Sequence, residues 1–213
     1  LEESYLFDIE KDELYELNID AYQFLLRISM GGSPPVREED EEFIRFCLSE
    51  NLITFAETPS QRKMCLNPSP IPSLRYLELQ ITDQCNLQCR HCYIGEGFHQ
   101  DLSKNQIQKV FEEFEEIQGL RLLLSGGEPL LHSHFWEIND LLRNYAFRTV
   151  LLSNGTLVTQ EIAKRLHIHE VQISLDGMEE GHESLRGRGT FKKTLMAIDH
   201  LQEANIRVSV ATM

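Results

Sequence analysis

No run of apolar residues in this sequence approaches the ~20 that a membrane-spanning helix needs. The first residues, Leu1-Glu2-Glu3, lack the basic and apolar regions of a secretory signal peptide. An initiator Met is also missing, so we expect the N-terminus to be the edge of a fragment. With 213 residues, 41% of them hydrophobic, the chain can form one or two domains with buried cores. These features predict a soluble, cytoplasmic protein that has no membrane partner.

Basic residues are scarce, with 20 Lys and Arg against 34 Asp and Glu, which gives a formal net charge of -14. This balance argues against a nucleic-acid partner, because a phosphate backbone requires a basic surface. The excess is uneven: residues 1–72 hold 15 acids and 6 bases, whereas residues 73–213 hold 19 acids and 14 bases. A basic partner and a solvated acidic surface are both consistent with the N-terminal excess.

The five cysteines are an odd number, which argues against a disulfide framework in a chain of cytosolic character. Three of them, Cys85, Cys89 and Cys92, fall within eight residues. Thiols at that density indicate a metal or cluster site.

The first 58 residues have the pattern of a small α+β module. Its predicted elements are a hairpin of strands 4–9 and 14–18, a helix that begins at Asp20, a second helix over 38–50 and a strand over 52–56. Four prolines follow within residues 59–72, which is typical of a semi-rigid linker and predicts a domain boundary there.

From residue 73 to residue 213 the pattern changes to alternating strands and helices, which predicts an α/β fold of parallel βα units. The predicted strands span 75–82, 120–125, 148–153, 170–175 and 206–212, and the predicted helices 103–118, 134–145, 159–167 and 190–204. Ser103 and Gln106 have the spacing of a capping box at the start of the first of these helices. In such folds the functional sites lie at the carboxyl ends of the strands.

The three clustered cysteines form a Cys-x3-Cys-x2-Cys loop directly after the first strand of this region. Three thiolates can bind three irons of a cubane cluster and leave the fourth iron for an outside ligand. Three unpaired thiols are one alternative. A structural zinc ion is another, although zinc requires a fourth ligand, and His91 lies too close to Cys92 to serve well.

With Tyr93 after the third cysteine, this loop resembles the signature of the radical S-adenosylmethionine (SAM) superfamily. The form Cys-Asn-Leu-x-Cys-x-x-Cys-Tyr resembles the branch that modifies peptides and proteins, the SPASM-type maturases. The resemblance implies a 4Fe-4S cluster on Cys85, Cys89 and Cys92, whose open iron chelates SAM. It further implies reductive cleavage of SAM to a 5′-deoxyadenosyl radical that abstracts hydrogen from a substrate. Flavodoxin or ferredoxin would be the electron donor.

Three further segments fit the same resemblance at predicted strand ends. Gly126-Gly127-Glu128-Pro129 matches the family motif that supports the methionyl amino group of SAM. Asn154, in the motif after the third strand of this region, would be one of the residues that bind the cofactor. Ser174, at the end of the fourth strand, would contact the ribose or carboxylate of SAM.

The resemblance implies weaker assignments for three other residues. Arg186 would bind the SAM carboxylate as a bidentate fork, Met213 would pack against adenine, and the His91 ring would stack near adenine. Alternatively, Arg186 lies in a solvated basic loop, Met213 is a core residue, and the His91 ring is exposed without a function.

The family fold is a (β/α)6 barrel, and we find five strands, so we expect a partial barrel truncated after strand five. The N-terminal module resembles the PqqD-like, winged-helix-like domain that holds a precursor leader peptide, although a packing-only module fits as well. The resulting hypothesis is a radical SAM enzyme that modifies a peptide or protein. The alternatives are an enzyme that modifies a small molecule or cofactor precursor, and a non-catalytic cluster-binding protein.

Overall fold

A computed structural model describes residues 4–29, 37–38, 40–54, 73–95 and 100–213. The chain divides into two compact units, Leu1–Leu66 and Asn67–Met213. The predicted boundaries, after residue 58 and before residue 73, fall outside the described residues, so the domain limits stay predictions.

The N-terminal unit contains the predicted hairpin and two helices. Its elements are β1 (Ser4–Asp8), β2 (Glu13–Leu17), α1 (Ile19–Ser29) and α2 (Asp40–Ser49). The two strands pair antiparallel, from Ser4 opposite Leu17 to Asp8 opposite Glu13. Arg27 joins the two helices, because its Nη2 lies 2.7 and 2.8 Å from the two carboxylate oxygens of the buried Asp40.

The predicted strand 52–56 is wrong for its described part, residues 52–54, and its remainder lies outside the described residues. Asn51 adopts a positive φ of 57°, and the N–H groups of Leu52 and Ile53 donate to the carbonyl oxygen of Cys47. The chain therefore closes the end of α2 instead of extending into a strand. The winged-helix assignment stays a prediction.

The second unit is built on five parallel strands in the order β3-β4-β5-β6-β7, which confirms the predicted parallel α/β architecture. The strands are β3 (Tyr76–Thr82), β4 (Arg121–Gly126), β5 (Arg148–Ser153), β6 (Glu170–Ser174) and β7 (Arg207–Ala211). Because each strand lies beside the next one in sequence, all five carboxyl ends meet at one edge of the sheet. We call this the carboxyl edge.

Helices connect the strands and pack on the sheet. They are α3 (Lys104–Glu116), α4 (Phe135–Leu141), α5 (Gln160–Arg165), α6 (Glu179–Arg186) and α7 (Thr190–Glu203), with short 3-10 turns at Pro129–Leu131 and Leu142–Asn144. The capping box of Ser103 and Gln106 is confirmed at the start of α3. No helix in the described ranges is long and apolar enough to cross a bilayer.

The core lies between the sheet and its helices. In α3 the side chains of Ile107, Phe111 and Phe114 are buried, as are Leu122 and Leu124 of β4. The ring of Phe147 makes edge-on contacts with Phe111 and Phe114, at centroid separations of 5.8 and 5.4 Å. This apolar layer fixes the sheet and thereby the positions of the loops at its carboxyl edge.

Candidate active site

The three clustered cysteines lie in a loop at the carboxyl edge, residues 83–95, which we call the cysteine loop. Cys85 and Cys89 are half-buried free thiols, and Cys92 is exposed. The pKa of Cys85 is raised, mainly by burial and further by the nearby Glu128, Cys89 and Cys92. The N–H of Leu87, 3.4 Å from Cys85 Sγ, offsets part of this increase. Burial also raises the pKa of Cys89, while the neighbouring Arg186 lowers it. The three thiols are therefore close enough to influence one another's ionisation.

The three thiols are a donor set that a cubane cluster can use. A cubane binds each thiolate at a different iron, so its ligands lie farther apart than those of one zinc ion. The thiols would lose their protons on binding, and the Leu87 N–H already points at one sulfur. The residues present thus fit a 4Fe-4S cluster.

The Gly126-Gly127-Glu128 segment holds the start of the cysteine loop. The N–H of Gly127 donates to the Thr82 carbonyl at 3.0 Å, and the N–H of Glu128 donates to the Gln84 carbonyl at 2.7 Å. A Cβ atom on Gly127 would lie only 2.4 Å from that Gln84 carbonyl oxygen. Position 127 therefore requires a glycine because the Gln84 backbone leaves no room for a side chain there, whether or not a ligand is bound.

Glu128 is fully buried and ties the end of β4 to the end of β5. Its carboxylate oxygens accept hydrogen bonds from the Ser153 hydroxyl at 3.0 and 3.1 Å and from the Asn154 N–H at 2.9 Å. Burial raises the pKa of Glu128 to about 7, although these hydrogen bonds lower it. The geometry favours a positioning role for Glu128, and the implied contact with the SAM amino group stays a prediction.

Asn154 reaches from the end of β5 to the cysteine loop. Its side-chain Nδ2 donates to Asn86 Oδ1 at 3.0 Å and lies 3.9 Å from Cys85 Sγ. Its Oδ1 accepts from the Thr156 hydroxyl at 2.6 Å, and Asn86 Nδ2 donates to that hydroxyl at 2.8 Å. Asn154 thus connects two segments that are far apart in the sequence.

Helix α6 holds the other end of the cysteine loop. The N–H of Arg90 donates to the Leu185 carbonyl at 2.8 Å. Arg186 Nε donates to Asp176 Oδ2 at 2.6 Å, and its Nη2 lies 3.5 Å from His91 Nε2. Burial alone would raise the pKa of Asp176, but Arg186, the Met213 N–H and His91 outweigh it and lower that pKa.

The remaining predicted site residues lie at the same edge. Ser174 ends β6 and is half-buried. Met213 follows β7 and donates its N–H to Asp176 Oδ1 at 3.0 Å, and the residue is 83% exposed. The structure therefore brings these residues to one rim, and their contacts with SAM stay predictions.

Four residues of this rim were not assigned roles from the sequence: Asn86, Thr156, Asp176 and His182. The buried His182 accepts the Asp176 N–H at its Nδ1, with a separation of 3.2 Å. Thr156 lies three residues past the end of β5 and Asp176 two residues past the end of β6, and this position was the available signal for both. No such signal marks His182, because α6 was not predicted.

The fold and the cysteine loop define an α/β protein with three free cysteines at the carboxyl edge of its sheet. The sequence profile of the Radical SAM superfamily matches residues 79–213. The chain therefore belongs to this superfamily of SAM-dependent radical enzymes, whose cofactors are a 4Fe-4S cluster and SAM.

Curated relatives differ in substrate. Mycofactocin maturase MftC of Mycolicibacterium smegmatis is 34% identical over 134 residues, which are 60% of this chain and 34% of that protein. AdoMet-dependent heme synthase of Methanosarcina barkeri is 34% identical over 149 residues, 65% of this chain and 42% of that protein. The chain thus spans only 34–42% of the length of these relatives.

Solved structures share the fold. Streptococcus suis SuiB matches 97% of this chain and 51% of its own, with a TM-score of 0.66 and 14% identity. The enzyme anSMEcpe with bound AdoMet and Kp18Cys peptide matches 63% of this chain and 42% of its own, with a TM-score of 0.56 and 23% identity.

Replacing Gly127 by Ala should displace the start of the cysteine loop, because the new Cβ would lie 2.4 and 2.8 Å from the carbonyl oxygens of Gln84 and Asp83. We expect the variant to lose most of the iron and sulfide that the wild type takes up on anaerobic reconstitution. Gly181→Ala is the matched control, because its Cβ would meet only the Asp176 carbonyl oxygen at an ordinary 3.4 Å. Equal iron contents in the two variants would contradict this account of Gly127.

Glu128→Gln should remove a pH dependence of stability. The pKa of Glu128 rises from 4.5 to about 7 on folding, so its contribution is full below pH 4.5 and is lost as the pH rises through about 7. The stability of the wild type relative to Glu128→Gln should fall by about 2 kcal/mol between about pH 5 and about pH 8. Urea unfolding of the apo proteins measures it, and a pH-independent difference would refute the assigned burial.

Proposed function

We propose that this chain belongs to an enzyme that cleaves SAM reductively at a 4Fe-4S cluster held by Cys85, Cys89 and Cys92. The observation that carries the proposal is the shared position of three free thiols and the Gly126-Gly127 backbone at one carboxyl edge. When bound, the cluster and SAM would supply a 5′-deoxyadenosyl radical that takes a hydrogen atom from the substrate. The protein binds, orients and shields these groups.

The residues at the rim divide into two sets in this proposal. The backbone at Gly126 and Gly127 and the side chain of Ser174 bind SAM, with His91 and Met213 beside its adenine. Arg186 Nε is bonded to Asp176 and its Nη2 lies 3.5 Å from His91 Nε2, so the SAM carboxylate would share the guanidinium with these groups. The second set consists of positioning residues, among them the buried Glu128, which hold the SAM-binding residues in place.

We propose a peptide or protein as the substrate class. MftC is named a maturase, and anSMEcpe has been solved with a bound peptide, which supports this class. The runner-up is a small molecule or cofactor precursor, which the similarity to heme synthase and to Fe-coproporphyrin III synthase of Methanosarcina barkeri (32% identical over 137 residues) supports.

The N-terminal unit would bind the leader segment of a peptide substrate. It contains an open cleft of about 460 Å³ whose lining includes Phe24, Phe43 and Phe46 together with Asp20 and Glu42. Aromatic walls beside acidic groups suit a segment that pairs an apolar side chain with a basic one. The likeness to SuiB, which extends over 97% of the chain and so includes this unit, supports a shared domain at the level of fold.

An acidic flavodoxin or ferredoxin would be the electron donor. Residues 184–198 include four bases and no acid, although the chain as a whole carries a net charge of -14. Arg188, Lys192 and Lys193 of this segment are exposed, and so is Arg90 in the cysteine loop, whose N–H bonds to Leu185. This basic surface beside the loop supports a donor with an acidic face.

Cys89→Ala tests the cluster assignment in the full-length protein. Two remaining thiolates do not hold a cubane, so the variant should lose its bound iron and sulfide and should form no 5′-deoxyadenosine from SAM with dithionite. Cys47→Ala, at a buried cysteine in the N-terminal unit, should keep both. A wild-type protein that binds one zinc ion and no sulfide would overturn the proposal. A cluster that never cleaves SAM would indicate the non-catalytic alternative.

Binding and product assays separate the two substrate classes. The full-length enzyme should bind a short peptide encoded beside its gene, and Asp20→Lys with Glu42→Lys should weaken that binding, most strongly at low salt. Mass spectrometry of the peptide after incubation with SAM and reductant should show a modified product. Absence of both binding and modification, together with turnover of an iron porphyrin, would favour the runner-up.

A further inference from the structure

The side chains of Asn86, Asn154 and Thr156 form a closed hydrogen-bonded ring. Asn154 Nδ2 donates to Asn86 Oδ1 at 3.0 Å, and Asn86 Nδ2 donates to Thr156 Oγ1 at 2.8 Å. Thr156 Oγ1 closes the ring by donating to Asn154 Oδ1 at 2.6 Å. The ring joins the residue directly after Cys85 to the turn after β5, across about 70 residues of sequence.

Every polar group of Asn154 has a protein partner. Its N–H donates to Glu128 and its carbonyl accepts from the Thr194 hydroxyl, at 2.9 and 3.2 Å. Its Oδ1 also accepts the N–H of Thr156 at 2.9 Å. The residue is 6% exposed. A buried amide with all its groups engaged has none left to offer a ligand in solution.

We infer that Asn154 is a positioning residue for the cysteine loop, and that Asn86 and Thr156 act with it as a latch on the loop's first cysteine. The inference rests on the proposed cluster at Cys85, Cys89 and Cys92. It changes the role that the resemblance implies for Asn154, from a contact with SAM to a support of the cluster's binding loop.

The latch acts on the first part of the cysteine loop, next to Cys85. Backbone hydrogen bonds hold the loop before Cys85, at Gln84, and after Cys89, at Arg90. Between these two points Asn86 supplies the link to the sheet, and the Asn154 amide lies 3.9 Å from Cys85 Sγ. A closed ring in which each donor has an acceptor holds its members in a single arrangement. The latch should therefore slow the opening that exposes iron to solvent.

Thr156→Val and Thr156→Ser test the latch. Valine keeps the size of threonine but lacks the hydroxyl, so the ring loses two of its hydrogen bonds, whereas serine keeps the hydroxyl and should restore them. We expect iron release from the anaerobically reconstituted full-length protein to a chelator to be about tenfold faster in Thr156→Val, as for the loss of one or two hydrogen bonds. Release from Thr156→Ser should stay within about twofold of the wild type.

Asn86→Leu is the second variant, because Asn86 is exposed and its replacement leaves the core intact. It should also speed iron release from the reconstituted protein, because Asn154 Nδ2 then loses its acceptor on the loop. Wild-type release rates in both Thr156→Val and Asn86→Leu would overturn the latch. So would Thr156→Ser releasing iron as fast as Thr156→Val, since the methyl group and not the hydroxyl would then matter. A wild-type protein that takes up no iron and sulfide overturns the proposed function itself, and the latch with it.

Discussion

The carboxylate of Glu128 is the interaction on which the arrangement of the site depends. It is fully buried, and its hydrogen-bond donors, the Ser153 hydroxyl and the N–H groups of Asn154 and Leu130, are all neutral. Such a group is costly to ionise, as its raised pKa shows. It persists because it satisfies polar groups at two strand ends at once, which an apolar side chain of similar size would leave unpaired.

Glu128 is connected by hydrogen bonds to two other segments of the site. Its own N–H holds Gln84 at the start of the cysteine loop, and its side chain holds the backbone of Asn154, which in turn holds Asn86. The segment that the family resemblance assigns to SAM is therefore also a support of the cysteines. With the cluster and SAM bound as proposed, the two sites would share one hydrogen-bonded network, so a change in the glycine motif should affect both.

Much of this architecture could be predicted from the sequence. All five strands of the second unit lie within one residue of their predicted ends, because buried strands bounded by turns leave a strong pattern. Helix α6 was missed because it is short, contains Gly181, and has an N-cap residue, Met178, that makes no side-chain capping hydrogen bond. The ring of Asn86, Asn154 and Thr156 was not predicted either, because a contact across about 70 residues depends on strand order and loop conformation. For the same reason, the sequence did not predict that the Glu128 side chain points toward the protein interior.

The contacts of Arg186, at the end of α6, show that its guanidinium is not free to reorient toward SAM. Asp176 binds its Nε and is itself fixed by the N–H of Met213, so the guanidinium is held in place before any ligand arrives. Its positive charge lies beside Cys89, where it lowers the pKa that burial raises. As thiolate ligands of the proposed cluster, three cysteines in one loop of a chain with a net charge of -14 would repel one another, and a cation fixed near them would offset part of that repulsion. A SAM carboxylate that approached Arg186 would share this charge with the cysteine loop, so SAM binding and the electrostatics of the cluster ligands would be linked through a single side chain.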